Sequence, residues 1–123
     1  MKRKRVVITG VGVAAPNGVG AEAFNTALKN GESGIRHFAE HEELNFRCQL
    51  GGFPVPDQNY IESLLPLYYQ QKVTNKGVIN ACLAGLEAWK SAGFELDADN
   101  RIPDAGMIIG AGALGWDNST DWI

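Results

Sequence analysis

Residues 5–13 read RVVITGVGV, a β-branched and apolar run that is followed by the turn sequence PNGVG at residues 16–20. A run that is apolar on both faces is typical of a central strand covered on both sides in an α/β sheet. Pro, Asn and Gly are the residues that interrupt regular structure. We therefore predict an interior β-strand over residues 5–13, with a glycine-rich turn behind it.

A short amphipathic helix is predicted directly after this turn. Residues 21–30 read AEAFNTALKN, with apolar side chains at the three-and-four spacing that forms one helical stripe. Glu22 falls in the first turn and Lys29 in the last, where their charges oppose the helix dipole. Gly31 supplies the C-terminal stop.

Residues 73–92 form the clearest predicted helix. Thr74 is the expected N-cap and Gly93 the expected stop. The apolar stripe of this helix consists mostly of small residues such as Gly77, Ala81 and Gly85. Small side chains predict that another stretch of backbone packs closely against the helix.

The remaining chain is less regular. Residues 32–56 read as irregular, with a short strand within residues 47–53, and residues 60–69 read as a helix interrupted by Pro66. A second apolar strand is predicted over residues 105–109. The order β-α-irregular-α-β predicts an α/β fold, with a parallel sheet and helices on its faces.

Composition excludes several classes of protein. The chain has 123 residues, enough for one small domain, and a net charge of −3, which argues against a nucleic-acid surface. No apolar run approaches the ~20 residues that span a bilayer. The basic residues 2–5 and the apolar run behind them also resemble a secretory signal, an alternative that the glycines at positions 10 and 12 oppose. Two cysteines without CxxC spacing are typical of free thiols in the cytoplasm.

Four residues could in principle carry chemistry. Cys82 falls mid-helix on an apolar stripe, away from the helix N-terminus that would stabilise a thiolate, so we interpret it as structural. Cys48 reads as an incidental thiol. His37 and His41 have a spacing that binds metal on a helix, but the order HFAEHEE lacks a third ligand, and we interpret it as a solvated charged turn.

Several segments resemble the N-terminal part of one family. The run VVITGVGV at residues 6–13 is similar to the opening strand of β-ketoacyl-acyl-carrier-protein synthases of the elongating type I and II. Residues 81–93 resemble the long helix of that family, and residues 109–112 (IGAG) its "IG-G" strand end. Pro16 and Gly18 match the Pro and Gly that follow the first strand in the family. The next helix of the family and its "G-SGI" turn are matched by Phe24, Leu28, Gly31, Ser33, Gly34 and Ile35.

The resemblance implies a thiolase-like fold with α-β-α-β-α layers, and a homodimer in the full-length protein. It implies a 3-oxoacyl-[acyl-carrier-protein] synthase, a decarboxylating Claisen condensation enzyme of fatty acid or polyketide biosynthesis. The partner is an acyl carrier protein that carries acyl or malonyl groups, and no cofactor is implied. On this basis residues 1–123 are an incomplete N-terminal portion of a synthase domain.

The resemblance also assigns residues to the site. It places Ala111, Gly112, Ala113 and Leu114 at the acyl pocket, where a small Ala113 would leave room for a longer or branched acyl group; a tight strand–helix contact is the equal alternative. The catalytic Cys and the two His of the family have no counterparts in this sequence, so the activity of this chain alone stays open.

Two alternatives compete with this interpretation. Residues 10–15 match G-x-G-x-x-A after a strand, which predicts a nicotinamide-dinucleotide-binding Rossmann unit. Against it, Pro16 and the residues behind it delay the helix to about Ala21, and Glu32 lies in a turn instead of ending a second strand. The other alternative is a non-catalytic partner subunit of a condensing enzyme.

Overall fold

The computed structural model describes residues 4–95, 102 and 104–112. Its elements in chain order are β1 (Ala14–Ala15), β2 (Gly18–Val19), α1 (Ala21–Asn30), β3 (Arg36–His37), α2 (Ala39–Glu43), β4 (Leu50–Gly51), α3 (Gln58–Leu64), α4 (Leu67–Lys72) and α5 (Lys76–Ser91). Within these described residues the strands form two short antiparallel pairs, β1 with β2 and β3 with β4. The mixture of helices and strands agrees with the α/β class, whereas the described strand pairs are not parallel.

The predicted interior strand over residues 5–13 is wrong in this structure. Val6 and Ile8 are 92% and 87% exposed, and none of the run belongs to a strand. A strand needs a neighbouring strand to receive its backbone hydrogen bonds. Within the described residues this run lies along α5, and only its last residue, Val13, bonds to the backbone of Gly20. The predicted strand over residues 105–109 is absent as well, and its Ile108 is fully exposed.

The prediction of α1 is confirmed. Gly31 adopts the left-handed conformation, with φ 67°. Its N–H donates to the Leu28 carbonyl at 3.2 Å, and the Glu32 N–H donates to the Ala27 carbonyl at 2.9 Å. This pair of bonds is a Schellman motif, which satisfies carbonyls that the helix end leaves without partners.

The helix over residues 60–69 is broken by Pro66, as expected. Asp57 is the N-cap of α3, where its side chain accepts the Asn59 N–H at 2.8 Å. The chain then turns at Leu65 and Pro66 before α4, and the Gln70 side chain closes the break by donating to the Leu65 carbonyl at 2.6 Å.

Helix α5 begins at Lys76, three residues after the start of the predicted helix at residue 73. Its N-cap is Asn75, whose side-chain oxygen accepts the Val78 N–H at 3.0 Å, and not Thr74. The predicted stop is confirmed, because Gly93 has a positive φ of 84° directly behind the helix. The capped helix is the longest in the described chain, and α3, β1 and the N-terminal run pack against it.

The described core lies between α3 and α5. Leu83 is completely buried, and Leu64 and Leu65 are nearly so. Fully burying one such side chain stabilises a fold by roughly 1.5–3 kcal/mol. Partly buried side chains that pack against these leucines are Val19, Tyr60, Ile61, Ile79, Cys82 and Leu86.

Candidate functional site

The glycines of the N-terminal run lie directly on the backbone of α5. A Cβ at Gly10 would come within 2.1 Å of the Ala88 carbonyl oxygen, and a Cβ at Gly12 within 1.9 Å of the Ala84 carbonyl oxygen. Any side chain at either position would therefore overlap the helix. A backbone segment therefore does approach α5 closely, but at Ala84 and Ala88. The predicted position, the stripe of Gly77, Ala81 and Gly85, is wrong, because Ala81 and Gly85 are exposed and Gly85 has open space where its Cβ would be.

Polar side chains of α5 bind the same run through its backbone. The Val11 N–H donates to Ser91 Oγ at 2.9 Å. The Ser91 hydroxyl oxygen also lies 3.1 Å from the Val11 carbonyl and 3.0 Å from the Ala88 carbonyl, and its single proton can be donated to either. Ser91 thus holds Val11 much as a neighbouring strand would.

Glu87 is the second polar anchor. Its Oε2 accepts the Val13 N–H at 2.8 Å, and its Oε1 accepts the Ala21 N–H at 2.7 Å. Val13 precedes β1 and Ala21 is the first residue of α1, so one carboxylate binds both ends of the β1–β2 hairpin. The Gly20 N–H donates to the Val13 carbonyl at 2.8 Å and closes the hairpin between these two ends.

An open cleft of about 380 Å³ lies beside this junction. The side chains and backbone that line it belong to Val19, Gly20, Glu22, Ala23, Tyr60 and Glu87. Burial raises the pKa of the Tyr60 phenol, and the negative charge of Glu87 raises it further. The Tyr60 hydroxyl is buried without a hydrogen bond of good geometry, so we ascribe the influence of Glu87 mainly to its charge.

The cysteines and histidines singled out in the sequence are not brought together. Cys82 lies in the middle of α5, half-buried against the core, and Cys48 is exposed. His37 lies in β3 and His41 in α2, so they do not share a helix face. His41 instead stacks on Phe38, with ring centroids 5.2 Å apart. Among the described residues, no group of three His, Cys, Asp or Glu side chains is placed to hold a metal ion.

The chain matches the family model described as "Beta-ketoacyl synthase, N-terminal domain" over residues 3–121. The chain belongs to the β-ketoacyl synthase family. It is 31% identical over 120 residues to 3-oxoacyl-[acyl-carrier-protein] synthase 2 of Vibrio harveyi, an alignment that covers 95% of this chain and 27% of that protein. It is 30% identical over 129 residues to the chloroplastic 3-oxoacyl-[acyl-carrier-protein] synthase I of Hordeum vulgare, covering 98% of this chain and 26% of that one.

A polyketide relative also matches this synthase chain. The "Granaticin polyketide putative beta-ketoacyl synthase 2" of Streptomyces violaceoruber is 38% identical over 50 residues, covering 41% of this chain and 12% of that protein. The resemblance deduced from the sequence is therefore confirmed, together with the thiolase-like fold to which the β-ketoacyl synthase domain belongs. The chain spans about a quarter of the length of the full-length synthases it matches.

The dinucleotide-binding alternative is not supported. In a Rossmann unit the glycines turn into a helix whose N-terminus faces the pyrophosphate. Here Gly10 and Gly12 contact the middle and end of α5, and α1 begins only at Ala21. The Glu87 carboxylate already accepts the Ala21 N–H, which places a negative charge where the pyrophosphate would bind. The comparisons give no support to a non-catalytic partner subunit either.

The residues assigned to the acyl pocket lie in the C-terminal part of the chain. Ala111 and Gly112 are exposed, and neither lines the cleft beside Glu87. Ala113 and Leu114 lie outside the described residues. Their assignment to an acyl pocket remains a prediction.

Sequence reasoning missed Glu87 and Ser91. Both lie on the face of α5 that carries Ala84 and Ala88, and both act on backbone groups more than 60 residues away in sequence, at separations of 66, 74 and 80. One feature could have indicated Glu87: it is the single acidic residue in the helix sequence KGVINACLAGLEAWKS. A lone carboxylate beside a small-residue stripe predicts that it binds the backbone which approaches that stripe.

Proposed function

We propose that the protein containing this chain is a 3-oxoacyl-[acyl-carrier-protein] synthase. It would condense an enzyme-bound acyl group with malonyl on an acyl carrier protein, and carbon dioxide would be released in the step that forms the new carbon–carbon bond. The observation that carries this proposal is the family match over residues 3–121, together with relatives that are named as such synthases. In this proposal residues 1–123 are the N-terminal portion of the synthase domain.

The chain itself would contribute scaffold and not the reacting groups. A catalytic thiolate needs a helix N-terminus or a cationic neighbour to lower its pKa. Cys82 lies near the middle of α5, and Cys48 is an exposed thiol whose Sγ lies 3.4 Å from the Leu50 carbonyl. Neither has such a setting, which supports the view that the nucleophile and its two histidines belong to other parts of the synthase.

The binding groups proposed for this portion are those at its C-terminal end. Ala111, Gly112, Ala113 and Leu114 would form one wall of the acyl pocket in the layered α-β-α-β-α domain. We further propose an acyl carrier protein as partner, a homodimer as assembly and the cytoplasm as location. The structure itself adds one finding here: in the described part of the chain, no helix has the length and apolar character required to cross a membrane.

The decisive experiment is a condensation assay with the full-length protein. Acyl-loaded and malonyl-loaded acyl carrier proteins are supplied together, and 3-oxoacyl product and carbon dioxide are measured. We expect both products in equal amounts, and neither when the acyl-loaded carrier is left out. Failure to form 3-oxoacyl product with short, medium and long acyl groups would remove the proposal, and binding of a nicotinamide dinucleotide would revive the alternative.

A further inference from the structure

The hairpin at the base of the N-terminal run is held at both ends by a single side chain. Glu87 Oε2 accepts the Val13 N–H at 2.8 Å and Glu87 Oε1 accepts the Ala21 N–H at 2.7 Å. The pairing of Ala14 with Val19 places Val13 opposite Gly20, so Ala21 lies one residue beyond the end of the hairpin. Both oxygens of the carboxylate are thereby used, each by a backbone donor from a different segment.

Helix α1 lacks a cap of its own. Its N-cap residue is Gly20, which has a positive φ of 92° and offers no side-chain acceptor. Helices ordinarily satisfy their first N–H groups with a Ser, Thr, Asp or Asn at that position. Here the acceptor comes from the C-terminal half of another helix, and its negative charge also complements the positive end of the α1 dipole.

Gly20 cannot easily be replaced by a residue that caps in the usual way. Its positive φ disfavours any side chain, and a Cβ there would lie 3.3 Å from the Tyr60 hydroxyl oxygen. Tyr60 of α3 therefore closes the space on one side of Gly20, while Glu87 of α5 satisfies the helix end. Three elements, α1, α3 and α5, meet at this point.

We propose that Glu87 is a positioning carboxylate that caps α1 from α5 and holds residues 13–21 on α5 as one unit. Because one carboxylate binds both ends of the hairpin, the two ends are released together when it is lost. Glu87 thus hydrogen-bonds both ends of this hairpin, while Ser91 binds Val11 ahead of it and Val19 packs against the core. This inference concerns the fold and does not depend on the condensation reaction.

The test is amide hydrogen exchange in the full-length protein. In Glu87→Ala we expect exchange at Val13 and Ala21 to accelerate together by about tenfold or more, since each N–H loses a charged acceptor. Exchange at Leu83, inside α5, should not change. Glu87→Gln retains one acceptor oxygen, so we expect it to restore part of the protection. Glu22→Gln changes the other carboxylate on the cleft and is the matched control, with exchange as in the unaltered protein.

A second measurement separates positioning from general stabilisation. In Glu87→Gln the side chain keeps its size but loses the charge beside Tyr60, so we expect the pKa of that phenol to fall towards its ordinary value. Tyrosinate absorbance during a pH titration reports this, with Tyr60→Phe as the blank. Unchanged exchange at Val13 and Ala21 in Glu87→Ala, acceleration at only one of them, or an unchanged pKa of Tyr60 in Glu87→Gln would each overturn the proposal.

Discussion

Tyr60 links the pH dependence of stability to one buried hydroxyl. Burial, and then the charge of Glu87, raise the pKa of its phenol in the folded protein. The phenol of the unfolded chain titrates at about pH 10 and therefore loses its proton first. The stability that this difference provides is complete below about pH 10 and is lost as the pH rises towards the folded-state pKa.

Tyr60→Phe should therefore flatten the alkaline limb of the stability profile. We expect the free energy of unfolding of the full-length protein to fall less steeply between about pH 9 and pH 11 in this variant than in the unaltered protein. Urea titrations at a series of pH values measure it. Other titrating groups are common to both proteins, so the difference between the two profiles isolates Tyr60. Two parallel profiles would contradict the role given to this side chain.

Ala113 carries the prediction about acyl-chain length. If this residue lies at the acyl pocket, Phe in its place fills space that the longest acyl groups occupy. Overpacking of this kind costs about 1–3 kcal/mol, so we expect kcat/KM for the longest accepted acyl group to fall by about tenfold or more in Ala113→Phe, with short acyl groups little affected. Ala113→Gly serves as the control and should keep the full range. An unchanged chain-length preference in the Phe variant would reject the assignment.

Helix α5 and the N-terminal run form the central packing unit among the described elements. Gly12 faces the Ala84 carbonyl at a separation that excludes a Cβ, whereas Gly85, one residue further along the helix than Ala84, has open space where its Cβ would be. The two positions therefore carry the same residue type, but a side chain would overlap its neighbours at Gly12 and would meet open space at Gly85. Comparing the two positions distinguishes the steric effect of a side chain between the N-terminal run and α5 from the effect of a glycine on the stability of a helix.

Substitution of these two glycines by alanine should change stability in opposite directions. Gly12→Ala pushes the run off α5, and we expect it to destabilise by about 1–3 kcal/mol. Gly85→Ala replaces a flexible residue at an exposed position within the helix, and we expect the free energy of unfolding to rise by roughly 0.5–1 kcal/mol. Urea unfolding of the full-length variants provides both values. A loss of stability in Gly85→Ala, or none in Gly12→Ala, would show that the packing against α5 has been misassigned.

Helix ends and helix faces could be predicted from the sequence because their causes are local. Gly31 and Gly93 end their helices through their own backbone freedom, and Pro66 breaks a helix by its ring. The run over residues 5–13 could not be assigned correctly in the same way. Its apolar pattern is that of a strand, but a strand exists only where another strand binds it, and sequence periodicity does not report that partner.

The site was predictable only in part, for the same reason. The small residues of α5 indicated that a backbone segment packs closely against this helix, but not that it does so at Ala84 and Ala88. Glu87 and Ser91 act across separations of 66 to 80 residues, and no local pattern specifies which backbone N–H a side chain will meet. The G-x-G sequence was ambiguous because glycine permits close approach to a phosphate and to a helix alike. The position of α5 in the structure decides between the phosphate-binding and the helix-packing interpretations of these glycines.

The described part of the chain has a small core and several exposed apolar side chains. The buried hydrophobic side chains in the described part are few: Ala27, Leu64, Leu65 and Leu83. Large apolar side chains at Val6, Ile8 and Ile108 instead face solvent. With so few buried apolar side chains, the hydrophobic effect contributes little free energy to offset the conformational entropy that is lost on folding.

Residues 1–123 in isolation should therefore not fold as a stable monomer. We expect a broad, non-cooperative thermal transition by circular dichroism, binding of a hydrophobic dye at low temperature, and association at higher concentration through the uncovered apolar run over residues 5–13. The full-length protein, in which the remainder of the synthase can cover that run, is the control and should unfold sharply without binding the dye. A chain of 123 residues that melts cooperatively, stays monomeric in sedimentation and excludes the dye would show that α5 and its few buried leucines suffice, and that the exposed run needs no partner.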